Sequence, residues 1–321
     1  MESSLPTPHL IQKSAGILKS GGLVAFPTET VYGLGSDALN ELAVSRIYAA
    51  KRRPNNHPLI VHISSAEKMF IWSNRIPSYA KDLANIFWPG PMTLILPRSD
   101  IAKNFITGGQ DSVGLRVPNH KVALELLSCF ESEGGLGVAA PSANKFGAVS
   151  PTTADSVLQE IGECLSESDI ILDGGQCEIG LESTIIDCTA QIPTILRPGA
   201  ITYEKLSKVV KFEFEPLPGS NRIRTSGTLK SHYSPKVKVA LNCMPKPGDG
   251  LVALNNIATP AGVIRLIAPR TTQEFARNLY LAFRSGDQQC VRRIVVILPN
   301  SGTFHEAIKD RVIKAAGLGA E

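Results

Sequence analysis

Two hydrophobic rhythms alternate along this chain, one with helical spacing and one made of short unbroken apolar runs. Ile11, Ala15 and Leu18 recur at helical spacing and predict a helix over 8–20 that stops at Gly21-Gly22. Leu23–Phe26 then reads as a buried strand. It opens into Pro27, Thr28, Glu29, Thr30 and Tyr32, and the segment as far as Ala38 reads as a polar loop turned by Gly33 and Gly35. Asn40 can cap a helix running through Ile47 to Lys51, with Pro54 ending it.

Strands are expected at 59–63, 92–96, 113–117, 137–140, 170–172, 183–187 and 194–197. Helices are expected at 77–88, near 120–130 and near 153–161. Several strands follow one another with no helix between them. That pattern favours an α/β or α+β twisted sheet over a strict βαβ repeat.

Residues 213–235 break the pattern with proline, glycine, serine and threonine and read as a linker or a functional loop. Strands then return at 237–241, 251–254, 262–267 and 293–298, with helices at 272–285 and 303–316. Strands and helices within so short a stretch predict a small, doubly wound second domain. It has no G-x-G-x-x-G, so no dinucleotide is assigned to it. The expected organisation is a first domain at 1–210, a linker or functional loop at 211–236 and a C-terminal domain at 237–321.

Composition narrows the class without naming it. Of 321 residues, 43% are hydrophobic and 19% charged, which is ordinary for a folded soluble protein. A net charge of +4 allows an anionic ligand but falls short of a dedicated nucleic-acid binder. Six scattered cysteines without a C-x-x-C predict reduced thiols and a cytoplasmic location. The first residues lack the apolar segment of a signal peptide, and no apolar run is long enough to span a membrane.

Candidate chemistry gathers where elements end. Lys51 and Arg53 close a helix, His62 interrupts the apolar run LIVHI, and Arg116 interrupts VGLRV. Ser142, Asn144 and Ser150 follow a strand, and Ser183, Thr184 and Arg197 stand at strand margins. Each group has a plain structural reading, such as complementing a helix dipole, capping a turn or satisfying a core histidine. Together the cations, hydroxyls and amide suit an anion, with arginine forks for carboxylate or phosphate. No P-loop, G-x-S-x-G or H-E-x-x-H is present. From these residues alone the reading reaches an anion binder, with nucleotides among the candidates.

Longer blocks resemble one family in order: FPTETVYGLG, K-x-R-P with PLIVHI, WPGPMTLIL, VGLRVPNH, APSANKFGAVSPT, LESTIID, LRPG and SGTLKSHYSP. They are similar to the Sua5/YrdC family of threonylcarbamoyl-AMP synthases, and the C-terminal segment points to the longer, Sua5-type members. The resemblance implies a twisted mixed α/β sheet plus a smaller Rossmann-like domain. The implied reaction joins L-threonine, bicarbonate or CO2, and ATP into threonylcarbamoyl-adenylate, releasing pyrophosphate. The product would pass to a tRNA threonylcarbamoyl transferase complex, for tRNAs reading codons that begin with A.

The resemblance carries a Lys-Arg-Ser-Asn tetrad onto Lys51, Arg53, Ser142 and Asn144. Arg53, His57, Ser112, Ser142, Ser150, Arg197, His232 and Tyr233 fall on nucleotide-side positions. Thr30, His62, Arg116, Ala140 and Ser183 fall on threonine-side positions. His57, Ser112 and the SGTLKSHYSP linker depart from the commoner family residues. Mg2+ would share the phosphate charge, and Glu29, Glu182 and His62 are general-base candidates by type. Two other readings stay open: a relative that uses the same adenylate chemistry on another acceptor or hydrolyses it, and a module that binds RNA through a basic concavity.

Overall fold

The computed structural model describes residues 6–212, 223–225 and 232–318. Linker positions 213–222 and 226–231 lie outside the described residues. Two sheets organise the rest. The first has nine strands: β1 (Val24–Phe26), β2 (Gly33–Asp37), β3 (Ile60–His62), β4 (Met92–Pro97), β5 (Ser112–Arg116), β6 (Val138–Ala139), β7 (Ile170–Ile171), β8 (Thr184–Asp187) and β9 (Thr194–Arg197). Their order is β7-β1-β2-β6-β3-β5-β4-β8-β9, with parallel and antiparallel neighbours mixed. The expected twisted mixed sheet is therefore present.

Helices α1 (Pro8–Lys19), α2 (Glu41–Lys51), α3 (Met69–Trp72), α4 (Ser78–Phe87), α5 (Asn104–Thr107), α6 (Lys121–Ser132), α7 (Ala154–Ile161) and α8 (Tyr203–Leu206) accompany this sheet. Local chemistry explains the longer ones. Thr7 caps α1 ahead of Pro8, and Ile11, Ala15 and Leu18 are buried together with Val122, Leu126 and Phe130 of α6. Each such side chain contributes about 1.5–3 kcal/mol by leaving water. Asn40 caps α2 through the Ala43 amide, and Arg52 ends it in the left-handed region at φ 50°. That reversal sends Arg53 back toward the sheet.

One sequence expectation fails here. Residues 33–37 form a full strand, paired antiparallel with β1 on one side and β6 on the other. Neither Gly33 nor Gly35 has positive φ, so they do not serve as tight-turn residues. Their role is close approach. A Cβ on Gly35 would stand 2.7 Å from Val138 Cγ1 and 2.8 Å from Phe26 Cε1. A strand carrying two glycines has too little side chain to show an alternating pattern, which is why it reads as a loop.

The second sheet comprises β10 (Val239–Leu241), β11 (Gly250–Val252), β12 (Ile264–Ile267) and β13 (Ile294–Val296), all parallel, in the order β10-β13-β11-β12. Helices α9 (Thr272–Gln288) and α10 (His305–Ala315) pack on it. Short loops join β10 to β11 and β11 to β12, so strands and helices alternate less regularly than a doubly wound reading predicts. Val31, Val149 and Leu181 belong to the same buried cluster as Phe275, Leu279, Ile308 and Val312. The second unit thus packs directly behind the first sheet's loops. No helix among the described residues is long and apolar enough to cross a membrane.

Candidate active site

β3, β5 and β9 end at one margin of the large sheet, and their last residues are His62, Arg116 and Arg197. His62 and Arg116 are direct neighbours in the parallel register. The α2 terminus delivers Lys51 and Arg53 to the same place, and the loop after β6 delivers Ala140, Ser142 and Asn144. These residues, with Thr30, Ser183, His232 and Tyr233, line one cleft of about 620 Å³. Positions spread across most of the chain therefore converge on a single concavity.

Lys51 is the most unusual of them. The residue is 1% exposed, and its ammonium donates to the Ser142 carbonyl at 2.6 Å and to the Asn144 carbonyl. Burial and the nearby Arg53 charge push it well below the ordinary lysine range. Arg53 donates to the Pro58 carbonyl at 3.0 Å and lies 5.4 Å over the Phe146 ring. Burial lowers its pKa to about 10, so it stays cationic. Arg197 braces the Ser183 carbonyl and hydroxyl at 3.0 and 3.2 Å, and Ser183 also bonds Thr93 at 2.7 Å.

The Asn144 amide donates to the Lys145 and Ala148 carbonyls and holds the 142–148 loop in shape. This cationic corner is walled by Phe146 and by His232, whose rings meet edge-on at 6.1 Å. Tyr233 holds φ at 61°, a conformation unfavourable for a bulky residue, with its hydroxyl buried and lacking a hydrogen-bond partner.

The opposite side of the cleft is built around Arg116. Its Nη2 lies 2.8 Å from Glu29 Oε2, and both side chains are buried. The contact joins opposite charges outside hydrogen-bond geometry, so Arg116 Nε and Nη2 keep donors to offer. Thr28 and Thr30 hydroxyls bond each other at 2.8 Å beside it. His62 is pushed down to about 3 by burial and then by Arg116, so it is neutral near pH 7, with Nδ1 unpartnered.

Three expected residues stand off the cleft lining. His57 touches it through Phe146, ring centroids 5.0 Å apart. Ser112 lies in a second hollow of about 300 Å³ with Gly114, Arg224 and Thr225, and Ile60 borders both hollows. Ser150 is fully buried, and its hydroxyl donates to Glu182 Oε1 at 2.6 Å, behind the wall.

Each candidate base is constrained by its surroundings. Glu182 accepts from Ser150, from Tyr280 at 2.9 Å and from Arg311 Nε at 2.7 Å. Although burial alone would raise its pKa, Arg311, Arg197 and these donors hold it at about 2. It is an anchored anion with no basicity near neutrality. Glu29 is the counter-charge of Arg116, and His62 is too weak a base at about 3.

Several lining residues were not singled out from sequence, notably Phe146, Val31 and Pro141. Phe146 had a visible sign, being the one aromatic in the polar SANKFG segment. Arg311 and Tyr280, behind the wall, also went unread. In α10 the buried positions Ile308, Arg311, Val312 and Ala315 follow helical spacing, so an arginine sits on an apolar face. No group of three or more His, Cys, Asp or Glu that could hold a metal occurs among the described residues.

Comparison with known proteins agrees with this arrangement. The Sua5/YciO/YrdC family model, described as "Telomere recombination", matches residues 16–199. The model described as "Threonylcarbamoyl-AMP synthase, C-terminal domain" matches residues 201–317. The threonylcarbamoyl-AMP synthase of Pyrococcus abyssi is 38% identical, covering 96% of this chain and 94% of its own. That of Bacillus subtilis is also 38% identical, covering 98% and 95%. The crystal structure of P. abyssi Sua5 complexed with L-threonine superimposes with a TM-score of 0.86 at 36% identity, covering 98% of this chain and 96% of that one. The chain belongs to the Sua5/YciO/YrdC family, and its second sheet lies in the C-terminal domain described for threonylcarbamoyl-AMP synthases.

Proposed function

We propose that the protein is an L-threonylcarbamoyladenylate synthase, using ATP, L-threonine and bicarbonate or CO2. The observation that carries this reading is the grouping of charges in the cleft: Lys51, Arg53 and Arg197 all act on His232, while Arg116 is the neighbour of His62 and Glu29. The first group suits a triphosphate, and the Arg116 fork suits an amino-acid carboxylate. The relatives' names and the L-threonine complex of P. abyssi Sua5 support the same assignment.

In the reaction we assign, the threonine amine, in its neutral form, adds to CO2 and gives up a proton to solvent, leaving a carbamate. A carbamate oxygen then attacks the α-phosphorus as the bond to the β-phosphate oxygen breaks, and pyrophosphate leaves. The work of the protein is positioning and stabilisation of the charge that develops on the leaving group. Arg116 would orient the threonine carboxylate. Neutral His62 and the Thr28–Thr30 pair would hold its polar groups without adding charge. Lys51 and Arg53 would face the triphosphate, with Ser142 and Asn144 shaping the loop that receives it.

Magnesium would arrive with ATP as part of the substrate. The carboxylates at the site do not fit a protein-held cage, because Glu182 is saturated and Glu29 is paired with Arg116. No step is therefore derived through a protein-bound metal. Delivery of the adenylate to a tRNA threonylcarbamoyl transferase complex belongs to the same proposal, as does a cytoplasmic setting, which the six free cysteines favour.

Mass spectrometry of the product formed from ATP, threonine and isotope-labelled bicarbonate tests the assignment. A threonylcarbamoyl-adenylate carrying the label, with pyrophosphate release that requires threonine, is expected. Full-rate pyrophosphate release without threonine would overturn it.

A further inference from the structure

The last helix of the chain reaches into the wall of the cleft. Arg311, fully buried on α10, donates through Nε to Glu182 Oε2 at 2.7 Å and through Nη2 to the Glu182 carbonyl at 3.4 Å. Its guanidinium also lies 5.2 Å over the Tyr233 ring. From α9, Tyr280 donates to both Glu182 oxygens and stacks on Tyr233 at 6.0 Å. One arginine of the second domain therefore touches both a fixed wall of the cleft and the segment that covers it.

The covering segment is held from two sides. The Ser234 amide donates to the Gly147 carbonyl at 3.0 Å, on the loop that carries Phe146. The His232 amide donates to the Lys314 carbonyl at 3.3 Å, and the Ser234 hydroxyl to the Ala315 carbonyl at 3.3 Å. Those two carbonyls belong to the last turn of α10, where helical partners run out. The end of α10 is thus a seat for residues 232–234. Tyr233 keeps its strained backbone because its ring is gripped by Arg311 and Tyr280.

We infer that Arg311 is a positioning residue for the reaction: it locks Tyr233 and His232 over the cationic side of the cleft while fixing Glu182 in the wall. The inference rests on the synthase reading of the cleft. Arg311 stands between two carboxylates, Glu182 and Asp310, and Arg197 also acts on Glu182, so the charges of this buried cluster largely offset one another. Removing Arg311 takes a cation from both carboxylates at once. His232 packs near Phe146, which in turn lies under Arg53, so a loosened segment disturbs the triphosphate side first. The Arg116 corner has its own counter-ion, Glu29, so the threonine carboxylate side is expected to change less.

The test uses the full-length enzyme and its Arg311→Met, Arg311→Lys and Tyr280→Phe variants. Threonine-dependent pyrophosphate release supplies kcat and both KM values, with Tm measured in parallel. Arg311→Met is expected to raise the ATP KM at least fivefold and change the threonine KM less than twofold, with Arg311→Lys intermediate. Tyr280→Phe removes one hydroxyl and should raise the ATP KM about two- to threefold. It decides the question if Arg311→Met does not fold, and a wild-type ATP KM in it then overturns the inference. A folded Arg311→Met enzyme with an unchanged ATP KM overturns it, as does a parallel rise of both KM values. A wild-type enzyme that makes no threonine-dependent product would instead count against the synthase reading, and is distinguishable for that reason.

Discussion

Replacing Lys51 with methionine probes the cationic side of the cleft most directly. Lys51 is 1% exposed and its ammonium contacts two carbonyls, so among the described residues its charge has no carboxylate in hydrogen-bond contact. Such an arrangement suits an incoming anion better than it suits the empty protein. A unit charge about 4 Å from a phosphate oxygen at an effective dielectric near 20 is worth about 4 kcal/mol. Losing a preorganised charge contact of this kind lowers rates about 10²–10³-fold, or about 2.7–4 kcal/mol.

The stability effect should be small by contrast. Lys51→Met relieves a desolvation penalty of several kcal/mol but leaves two buried carbonyls without a donor, at about 1–3 kcal/mol each. These terms oppose one another, so Tm should stay within about 5 °C. The kcat/KM for ATP should fall by about two to three orders of magnitude in threonine-dependent pyrophosphate release. Calorimetry in buffers of different ionisation enthalpy adds a second reading. Burial and Arg53 depress the Lys51 pKa, and a bound triphosphate raises it again, so ATP binding should be accompanied by proton uptake over the pH range in which the free Lys51 amine titrates. Lys51→Met should abolish that uptake. A folded Lys51→Met enzyme with kcat/KM within threefold of wild type would refute the reasoning.

Four further outcomes are expected. Arg116→Met, which strands Glu29, should lower stability by about 3–5 kcal/mol in urea unfolding and raise the threonine KM over tenfold, and an unchanged threonine KM would contradict the carboxylate fork. Gly35→Ala forces a methyl against Phe26 and Val138 and should cost about 1–3 kcal/mol, read as a lower Tm; equal Tm would show that the strand has room to shift. Cutting the chain after Val209 uncovers Val31, Val149 and Leu181, so the fragment should keep its circular dichroism yet bind a hydrophobic dye and lose most activity. Stability should also fall with acid. His62 and His232, both held at about 3 by burial, bind protons only on unfolding between the ordinary histidine value of 6.5 and about 3. Below pH 6.5 the two together remove about 2.7 kcal/mol per pH unit, a slope that urea titrations between pH 7.5 and 5 would show or exclude.

Much of this molecule is determined locally. Apolar spacing with caps at Thr7, Asn40 and Thr153 specifies helices, and unbroken apolar runs specify strands, because these depend on neighbours in the chain. The ordered blocks around Lys51, Arg116, Ser142 and Arg197 likewise mark the family, since residues that face a ligand are tied to its chemistry. Gly33–Asp37 was hidden because its strand character comes from β1 and β6, and glycine carries no pattern of its own.

Tertiary structure decided the rest. Glu29 was a general-base candidate by type, and only the fold, which brings the segment after β1 against the end of β5, makes it the partner of Arg116. Glu182 looked like a candidate base until Arg311 and Tyr280, from about 100 or more residues later in the chain, took up its lone pairs. A carboxylate's basicity is set by the charges and donors within a few ångströms, and no linear sequence lists those neighbours. By itself the sequence determined which groups the protein can bring to an anion. The fold decided which of them stay available, and it assigned the second domain to the wall of the site.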